Sequence, residues 1–167
     1  MINKRFSEEV MYRNQRRRFY EGQHVLAHQP ALPTDFGGKP FVIDIAKVTN
    51  CNDTFRTALW TGPHLQLTVM SIKPGEDIGL EAHPNVDQFL RIESGKGLVQ
   101  MGDKKDDLCF EQPVFDDSAI FVPAGTWHNI TNVGDTPLKL YTIYAPPNHA
   151  FGTMHQTKAI AEMEEGH

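Results

Sequence analysis

Apolar and polar residues alternate in short segments along residues 40–147, and glycine or proline separates one segment from the next. The clearest example is the segment 65–72, Leu-Gln-Leu-Thr-Val-Met-Ser-Ile, which is followed by Pro74 and Gly75. Alternation with a period of two is typical of a β-strand that buries one face. The same pattern predicts strands at 41–46, 88–93, 97–102, 119–122 and 138–144, with 97–102 as the second arm of a hairpin.

These strands indicate the fold class and the domain boundaries. Many short strands with frequent glycine and proline, and little helical periodicity, predict an all-β sandwich or barrel at 39–147. Residues 1–38 form a polar N-terminal arm, and the prolines at 30 and 33 favour an extended course for it. Residues 148–167 form a C-terminal tail, with a short helix predicted at 158–165.

Composition narrows the class of protein further. The 167 residues carry a formal net charge of −5, which argues against a nucleic-acid-binding protein and suits a cytoplasmic one. No apolar run is long enough to span a membrane, and the N-terminus lacks the apolar segment of a secretory signal. Cys51 and Cys109 form no Cys-x-x-Cys motif, so we expect a reducing compartment and no thiolate zinc site.

Two stretches carry side chains that can bind a metal ion. In residues 75–95, Glu81 and His83 lie two apart, so they can point to the same side of a strand, and Gln88 opens the next strand. In residues 123–132, a Pro-x-Gly turn presents His128 on the strand that follows. Imidazole nitrogens combined with side-chain oxygens suit Zn, Mn, Fe or Ni better than Ca or Mg. Such a site keeps positions open for water or substrate.

At the first stretch the sequence resembles the cupin superfamily. The first cupin motif begins and ends with glycine, where this chain has Gly75 and Gly95. His83 takes the position of the second histidine of that motif. Glu81 stands where the first histidine would be, and Gln88 stands where the glutamate would be. The number of carboxylates is therefore kept while the position of the carboxylate moves.

The second cupin motif is matched more closely. Pro123, Gly125, His128 and Asn132 occupy its proline, glycine, histidine and asparagine, and Asp117 replaces its leading glycine. The resemblance covers residues 40–147 and implies the cupin double-stranded β-helix, a jelly-roll barrel. It also implies a metal site at positions 81, 83, 88 and 128. This donor set is similar to that of type I phosphomannose isomerases, in which Gln, His, Glu and His surround zinc.

Three functions fit such a site. The first is a metal-dependent isomerase, epimerase or lyase acting on a small polar substrate such as a sugar or sugar phosphate. Its proton transfer would fall to Glu81, Tyr141 or Tyr144, and the two tyrosines face opposite sides of the last strand. The second is a non-haem metal-dependent dioxygenase, because two histidines and a carboxylate also serve such iron enzymes. The third is a non-enzymatic module that binds a carbohydrate or another small ligand.

Further polar residues flank the predicted site. Three of them alternate along one strand and are expected to line the barrel: His64, Gln66 and Thr68. Arg56 is expected in a surface salt bridge, with an anion clamp as the alternative. His149 and His155 are expected in an exposed loop, with a cover over the barrel mouth as the alternative.

We also expect a homodimer. Cupins commonly pair through sheet edges, and the extended arm at 1–38 invites exchange of a strand between subunits. The other expected partner is a small-molecule substrate, with neither nucleic acid nor a membrane involved.

Overall fold

Two antiparallel sheets form the body of the protein in the computed structural model, which describes residues 35–165. The larger sheet has the strand order β6-β3-β8-β2-β1-β9 and the smaller has the order β5-β4-β7. The predicted all-β class is therefore confirmed, while residues 1–34 of the predicted arm lie outside the described part. In chain order the elements are α1 (Ile45–Cys51), β1 (Arg56–Thr61), β2 (Gln66–Ile72), β3 (Asp87–Ser94), β4 (Gly97–Gly102), β5 (Phe110–Val114), β6 (Ala119–Val122), β7 (Trp127–Asn132), β8 (Leu138–Ala145), β9 (Met154–His155) and α2 (Lys158–Glu165).

The core lies between the two sheets and follows the predicted alternation. Along β3, Gln88, Leu90 and Ile92 are buried, whereas the residues between them reach the outer face. Leu90 and Ile92 belong to an apolar cluster that also includes Val99 of β4 and Ile130 of β7. Full burial of such a side chain stabilises the fold by roughly 1.5–3 kcal/mol. Gln88 is thus a polar residue on an otherwise apolar face.

The strand predicted at 41–46 is wrong. Residues 41–44 have no regular structure, and helix α1 begins at Ile45. The Asp44 carboxylate accepts a hydrogen bond from the backbone N–H of Lys47 at 3.1 Å, which satisfies one of the free donors of the first helical turn. This cap favours a helix directly after the Phe-Val-Ile run over a continued strand. α1 was not predicted, so it is a helix in addition to the one predicted at 158–165.

The hairpin predicted between 88–93 and 97–102 is also wrong. β3 pairs with β6 and β8, whereas β4 pairs with β5 and β7 in the other sheet. Gly95 lies between β3 and β4 with a φ of 106°, and a Cβ atom there would come within 3.1 Å of the Leu138 backbone. Glycine therefore allows the chain to cross from one sheet to the other beside β8.

The larger sheet contains two strands that the sequence pattern did not indicate, and one of them lies outside the predicted barrel. β1 was not predicted, and it pairs with β2 along five residue pairs. β9 lies in the segment assigned to the tail, yet it pairs with β1, where His155 opposes Arg56. The tail helix is confirmed as α2. Neither helix within residues 35–165 has the length and apolar content needed to cross a membrane.

Candidate metal centre

Residues 75–81 of the first motif pair with β7 of the second motif through backbone hydrogen bonds. They lie along the edge of β7 that faces away from β4. The N–H of Gly75 donates to the carbonyl of Asn132 at 3.1 Å. At the other end of the segment, Glu81 and His128 exchange both backbone hydrogen bonds, at 3.1 and 2.9 Å. Because residues paired in this way stand directly opposite each other, the side chains of Glu81 and His128 begin as neighbours.

His83 joins them through a contact between the two turns. The backbone N–H of Gly125, in the turn before β7, donates to the carbonyl of His83 at 2.8 Å. Nε2 of His83 lies 3.2 Å from Oε1 of Glu81, and Nε2 of His128 lies 3.5 Å from the same oxygen. The three ligand atoms all fall within 4.8 Å of one another, so the structure brings together three of the four predicted metal donors.

The tautomer of His128 leaves its inner nitrogen free. Nδ1 lies 3.0 Å from the carbonyl of Thr126, and because a carbonyl only accepts, Nδ1 carries the proton. Nε2 then presents a lone pair towards the Glu81 carboxylate. Two electron-rich atoms in such proximity repel each other unless a proton or a metal ion lies between them. A backbone carbonyl that holds the outer nitrogen of the ring is also the usual support of a metal-binding histidine.

The donor atoms at all four predicted positions are buried and have no hydrogen-bond partner. They are Oε1 of Glu81, Nε2 of His83, Oε1 of Gln88 and Nε2 of His128. Buried polar atoms without a partner are rare in folded proteins, because each one costs about 1–3 kcal/mol. Four of them at positions expected to bind one ion fit a divalent transition metal, and an oxygen-and-imidazole set of this kind suits Zn, Mn, Fe or Ni.

Gln88 enters the interior from β3. It is 3 % exposed, and its Nε2 donates to Oγ1 of Thr142 on β8 at 3.2 Å. In this orientation the amide nitrogen is turned towards β8 and Oε1 makes no hydrogen bond. Gln88 stands opposite Tyr144 in the sheet register, and the Tyr144 ring lies 5.9 Å from the His83 ring.

The charge on Glu81 suits a metal ligand. Burial raises the pKa of this carboxyl, but hydrogen bonds that His128 and His83 donate when their Nε2 atoms carry a proton, and the positive charge of Arg56, outweigh burial. Together they hold the pKa of Glu81 well below its ordinary value. The carboxylate is therefore ionised at neutral pH, although only a tenth of its side chain is exposed.

The two tyrosines of β8 face opposite sides of the sheet. Tyr144 is fully buried, its hydroxyl has no partner, and burial raises the pKa of that hydroxyl above its ordinary value. Tyr141 lies on the outer face, where its ring is 6.2 Å from the ring of Phe89. The structure thus brings Tyr144 to the metal donors and leaves Tyr141 away from them.

Arg56 lies in the interior and not in the expected surface salt bridge. It is 1 % exposed, and its Nη1 donates to both carboxylate oxygens of Glu165 at 2.8 and 3.0 Å. Oε1 of Glu165 also lies 3.0 Å from Nδ1 of His149. Burial raises the pKa of Glu165, but the hydrogen bond with His149 and the positive charge of Arg56 outweigh it and lower this pKa to about 2.

His155 is buried and His149 has only 6 % of its side chain exposed, so the expected exposed loop is wrong. Gln66 holds the first of them, because its Oε1 accepts the N–H groups of Asn148 and His149 and its Nε2 donates to the His149 carbonyl. Pairing of β9 with β1 buries His155. Of the three polar residues expected to line the barrel, Gln66 and Thr68 are buried and His64 is exposed.

A cavity of about 290 Å³ opens between α2 and the segment 77–81. Glu81 lines one side of it and Glu165 of α2 lines the other. This volume is near the lower end of the roughly 300–1,000 Å³ of small-ligand pockets. An ion pair between Lys158 and Asp77 joins the start of α2 to the segment. No sequence pattern indicated Glu165 in this position, since a glutamate near the end of an amphipathic helix is usually on the surface.

Comparison with known proteins agrees with this architecture. A family model described as a cupin domain matches residues 68–144. The chain is 66 % identical over 134 residues to the protein YrkC of Bacillus subtilis, covering 80 % of this chain and 72 % of that one. It is 42 % identical over 113 residues to protein L612 of Acanthamoeba polyphaga mimivirus, covering 67 % and 69 %. The crystal structure of BH2720 from Bacillus halodurans superposes with a TM-score of 0.78 at 62 % identity, covering 78 % of this chain and 99 % of that one.

Proposed function

The chain belongs to the cupin superfamily, and from this premise we propose that it is a metal-dependent enzyme of the isomerase, epimerase or lyase type. Its proposed substrate is small and polar, such as a sugar or a sugar phosphate. The cavity beside Glu81 has a volume of about 290 Å³, which suits a molecule of that size.

The four unpartnered donor atoms carry this proposal. Glu81, His83, Gln88 and His128 would hold the ion through two imidazole nitrogens, a carboxylate oxygen and an amide oxygen. An amide oxygen is a weaker ligand than a carboxylate, so an ion held in this way keeps much of its Lewis acidity. When bound, a divalent ion polarises a carbonyl or hydroxyl oxygen and makes a neighbouring C–H more acidic.

We assign the proton transfer to Tyr144 and His149, whose buried polar atoms have no hydrogen-bond partner. The Tyr144 hydroxyl keeps its proton at neutral pH and has no partner, so it can donate to a substrate oxygen. Because Nδ1 of His149 faces the Glu165 carboxylate and carries the proton, its buried Nε2 offers a lone pair that can accept one. The two rings lie 5.0 Å apart between their centroids. In this proposal Glu81 holds the metal, and Tyr141 on the outer face takes no part.

Exchange of hydrogen with solvent tests this function directly. Protein stripped of metal and reloaded separately with Zn, Mn, Fe or Ni would be incubated in D₂O with a panel of aldoses, ketoses and their phosphates, and followed by NMR. We expect metal-dependent entry of deuterium at the carbon next to a carbonyl. Tyr144→Phe should slow this exchange by about 100-fold or more, in the range of general acid–base catalysis.

Tyr141→Phe is the matched control, because it removes the same hydroxyl from the opposite face of β8. It should exchange at the rate of the unaltered protein. Metal-loaded protein that exchanges no substrate of the panel, or an equal loss in the two variants, would contradict the proposed chemistry. Tight binding of a sugar without metal and without exchange would instead identify a binding module.

A non-haem metal-dependent dioxygenase is the second candidate. Glu81, His83 and His128 form a group of two histidines and one carboxylate, the set that many iron oxygenases use. An oxygen electrode distinguishes it from the first candidate. Oxygen consumption by the Fe(II)-loaded protein with a member of the substrate panel, without deuterium exchange under nitrogen, would favour the oxygenase.

A further inference from the structure

Arg56 is a buried positive charge that the proposed chemistry does not use. It lies at the start of β1 with 1 % exposure, between Met70 of β2 and His155 of β9 in the sheet register. Burial lowers the pKa of Arg56, but the phenol group of Tyr144 and the carboxylates of Glu165 and Glu81 act on its guanidinium and together raise that pKa. Its positive charge therefore faces the interior that the metal donors share.

The ion pair between Arg56 and Glu165 is incomplete. Both carboxylate oxygens contact the same nitrogen, Nη1, and the buried Nε of Arg56 has no partner. The strongest arginine pairs are forked, with two nitrogens donating to two oxygens of one anion. Glu165 reaches Arg56 from the last residue of α2 with 24 % of its side chain exposed, so this anion is displaceable from the solvent side.

Contacts through Glu165, His149 and Tyr144 link Arg56 to His83 of the metal centre. The Tyr144 hydroxyl, Nε2 of His149 and Nε of Arg56 are all buried without a hydrogen bond. The Tyr144 ring is 5.9 Å from the His83 ring and 5.0 Å from the His149 ring. His149 in turn contacts the same Glu165 oxygen that Arg56 binds. A ligand anion in place of the Glu165 carboxylate would contact both Arg56 and His149.

We propose that Arg56 and His149 form an oxyanion-binding subsite beside the metal centre, which the carboxylate of Glu165 fills when no substrate is bound. The subsite accepts a carboxylate or phosphate group of a small substrate whose other end carries the oxygen atoms that meet the metal. This inference rests on the proposed function, in which the metal ion binds the other end of the substrate. It limits the proposed substrates to anionic molecules. Binding of the anion displaces Glu165 and frees the last turn of α2.

Anion binding by metal-free protein tests the subsite separately from the metal chemistry. Isothermal titration calorimetry with malonate, and in a second series with inorganic phosphate, would be run on the full chain after removal of metal. Glu165→Gln removes the competing charge but keeps the shape of the side chain. We expect this variant to bind one of the two probes at least about tenfold more tightly than the unaltered protein, and the preferred probe identifies carboxylate or phosphate as the natural group.

Two further variants make the result specific. Glu164→Gln is the matched control, because Glu164 is on the same turn and contacts His155 and not Arg56. It should bind both probes as the unaltered protein does. Adding Arg56→Gln to Glu165→Gln should abolish the gain in affinity. If that double variant fails to fold, the comparison of Glu165→Gln with Glu164→Gln decides the matter by itself.

The opposite result is equally clear. Equal affinities of Glu165→Gln, Glu164→Gln and the unaltered protein for both probes would overturn the subsite and leave Glu165 as a structural anchor of α2. That outcome would not affect the proposed function, because deuterium exchange in the metal-loaded protein is measured independently.

Discussion

Some residues of the two motifs stabilise the fold, and others keep an atom free to bind a ligand. Asn132 of the second motif serves the fold, since its amide donates to the carbonyls of Ile72 and Thr136 and accepts the N–H of Gly134. His128, four residues earlier, has its outer nitrogen held by Thr126 and its inner nitrogen free. Asn132 has all its polar atoms bonded and maintains the structure, whereas His128 keeps a buried free nitrogen that can bind a ligand.

Gln88 gives the most informative test at this scale. Replacing its neutral amide by a carboxylate, Gln88→Glu, adds a negative charge to the donor set and should tighten binding of Zn²⁺ or Mn²⁺ at least about tenfold, as measured by competition with a chelating dye. Gln88→Leu, which removes the donor oxygen and keeps the volume, should weaken it. Unchanged affinity in both variants would show that position 88 does not bind the metal.

Local spacing predicted the donors, but it did not predict the ion pair beside them. Glu81, His83, Gln88 and His128 lie at motif positions whose spacing along the chain is fixed, so the sequence identifies them as one group. Arg56 and Glu165 are 109 residues apart, and their contact depends on the register of β9 against β1. That register is set by packing and not by any local pattern, so Arg56 was expected on the surface.

At the scale of elements, helix α2 is held in place at both ends by ion pairs. Lys158 pairs with Asp77 at its start, and Glu165 pairs with Arg56 at its end. Ala161, on the turn between them, is buried in the core cluster. The sequence predicted the helix correctly but not the cavity that it covers, because helical periodicity shows which face is apolar and not which surface receives it.

The end of α2 should respond to acid in a defined direction. The pKa of Glu165 is lowered in the folded protein from 4.5 to about 2, so its contribution to stability is complete above about pH 4.5 and is lost as the pH falls towards about 2. Breaking a buried ion pair costs about 3–5 kcal/mol, and the partial exposure of Glu165 reduces the expected loss in Glu165→Gln to about 1–2 kcal/mol.

Urea unfolding of Glu165→Gln and the unaltered protein over a pH series checks this expectation. The difference in the free energy of unfolding between the two proteins should be present at pH 7 and shrink between about pH 4.5 and about pH 2. Glu164→Gln, with its exposed side chain, should show a smaller difference at pH 7. A difference that is constant across this range would show that the charge of Glu165 does not stabilise α2.

At the scale of the whole molecule, two sheets enclose one apolar core, and the polar site lies at one end of it. Four strands of the larger sheet were predicted at or near their observed positions: β2, β3, β6 and β8. β1 and β9 were missed, because Arg56 and the prolines and histidines after residue 145 look unlike a buried strand. β4 was predicted to pair with β3 but lies in the other sheet. The turn at 94–96 is compatible both with a hairpin and with a crossing from one sheet to the other.

The homodimer stays a prediction at this scale. Sedimentation equilibrium of the full chain should give about twice the 18.9 kDa of one chain. A chain shortened to begin at residue 35 shows whether residues 1–34 contribute to the association. A single species of one chain's mass at micromolar concentration would end the expectation of a dimer.

The central claim is that Glu81, His83, Gln88 and His128 hold a divalent transition metal. Elemental analysis by mass spectrometry of protein purified without added metal tests it most directly, with His128→Ala as the variant and His64→Ala, which removes an exposed histidine, as the control. The account predicts about one Zn, Mn, Fe or Ni ion per chain in the unaltered protein and in His64→Ala, and a large loss in His128→Ala. Fewer than about one ion per ten chains in the unaltered protein, also after incubation with each metal, would contradict it.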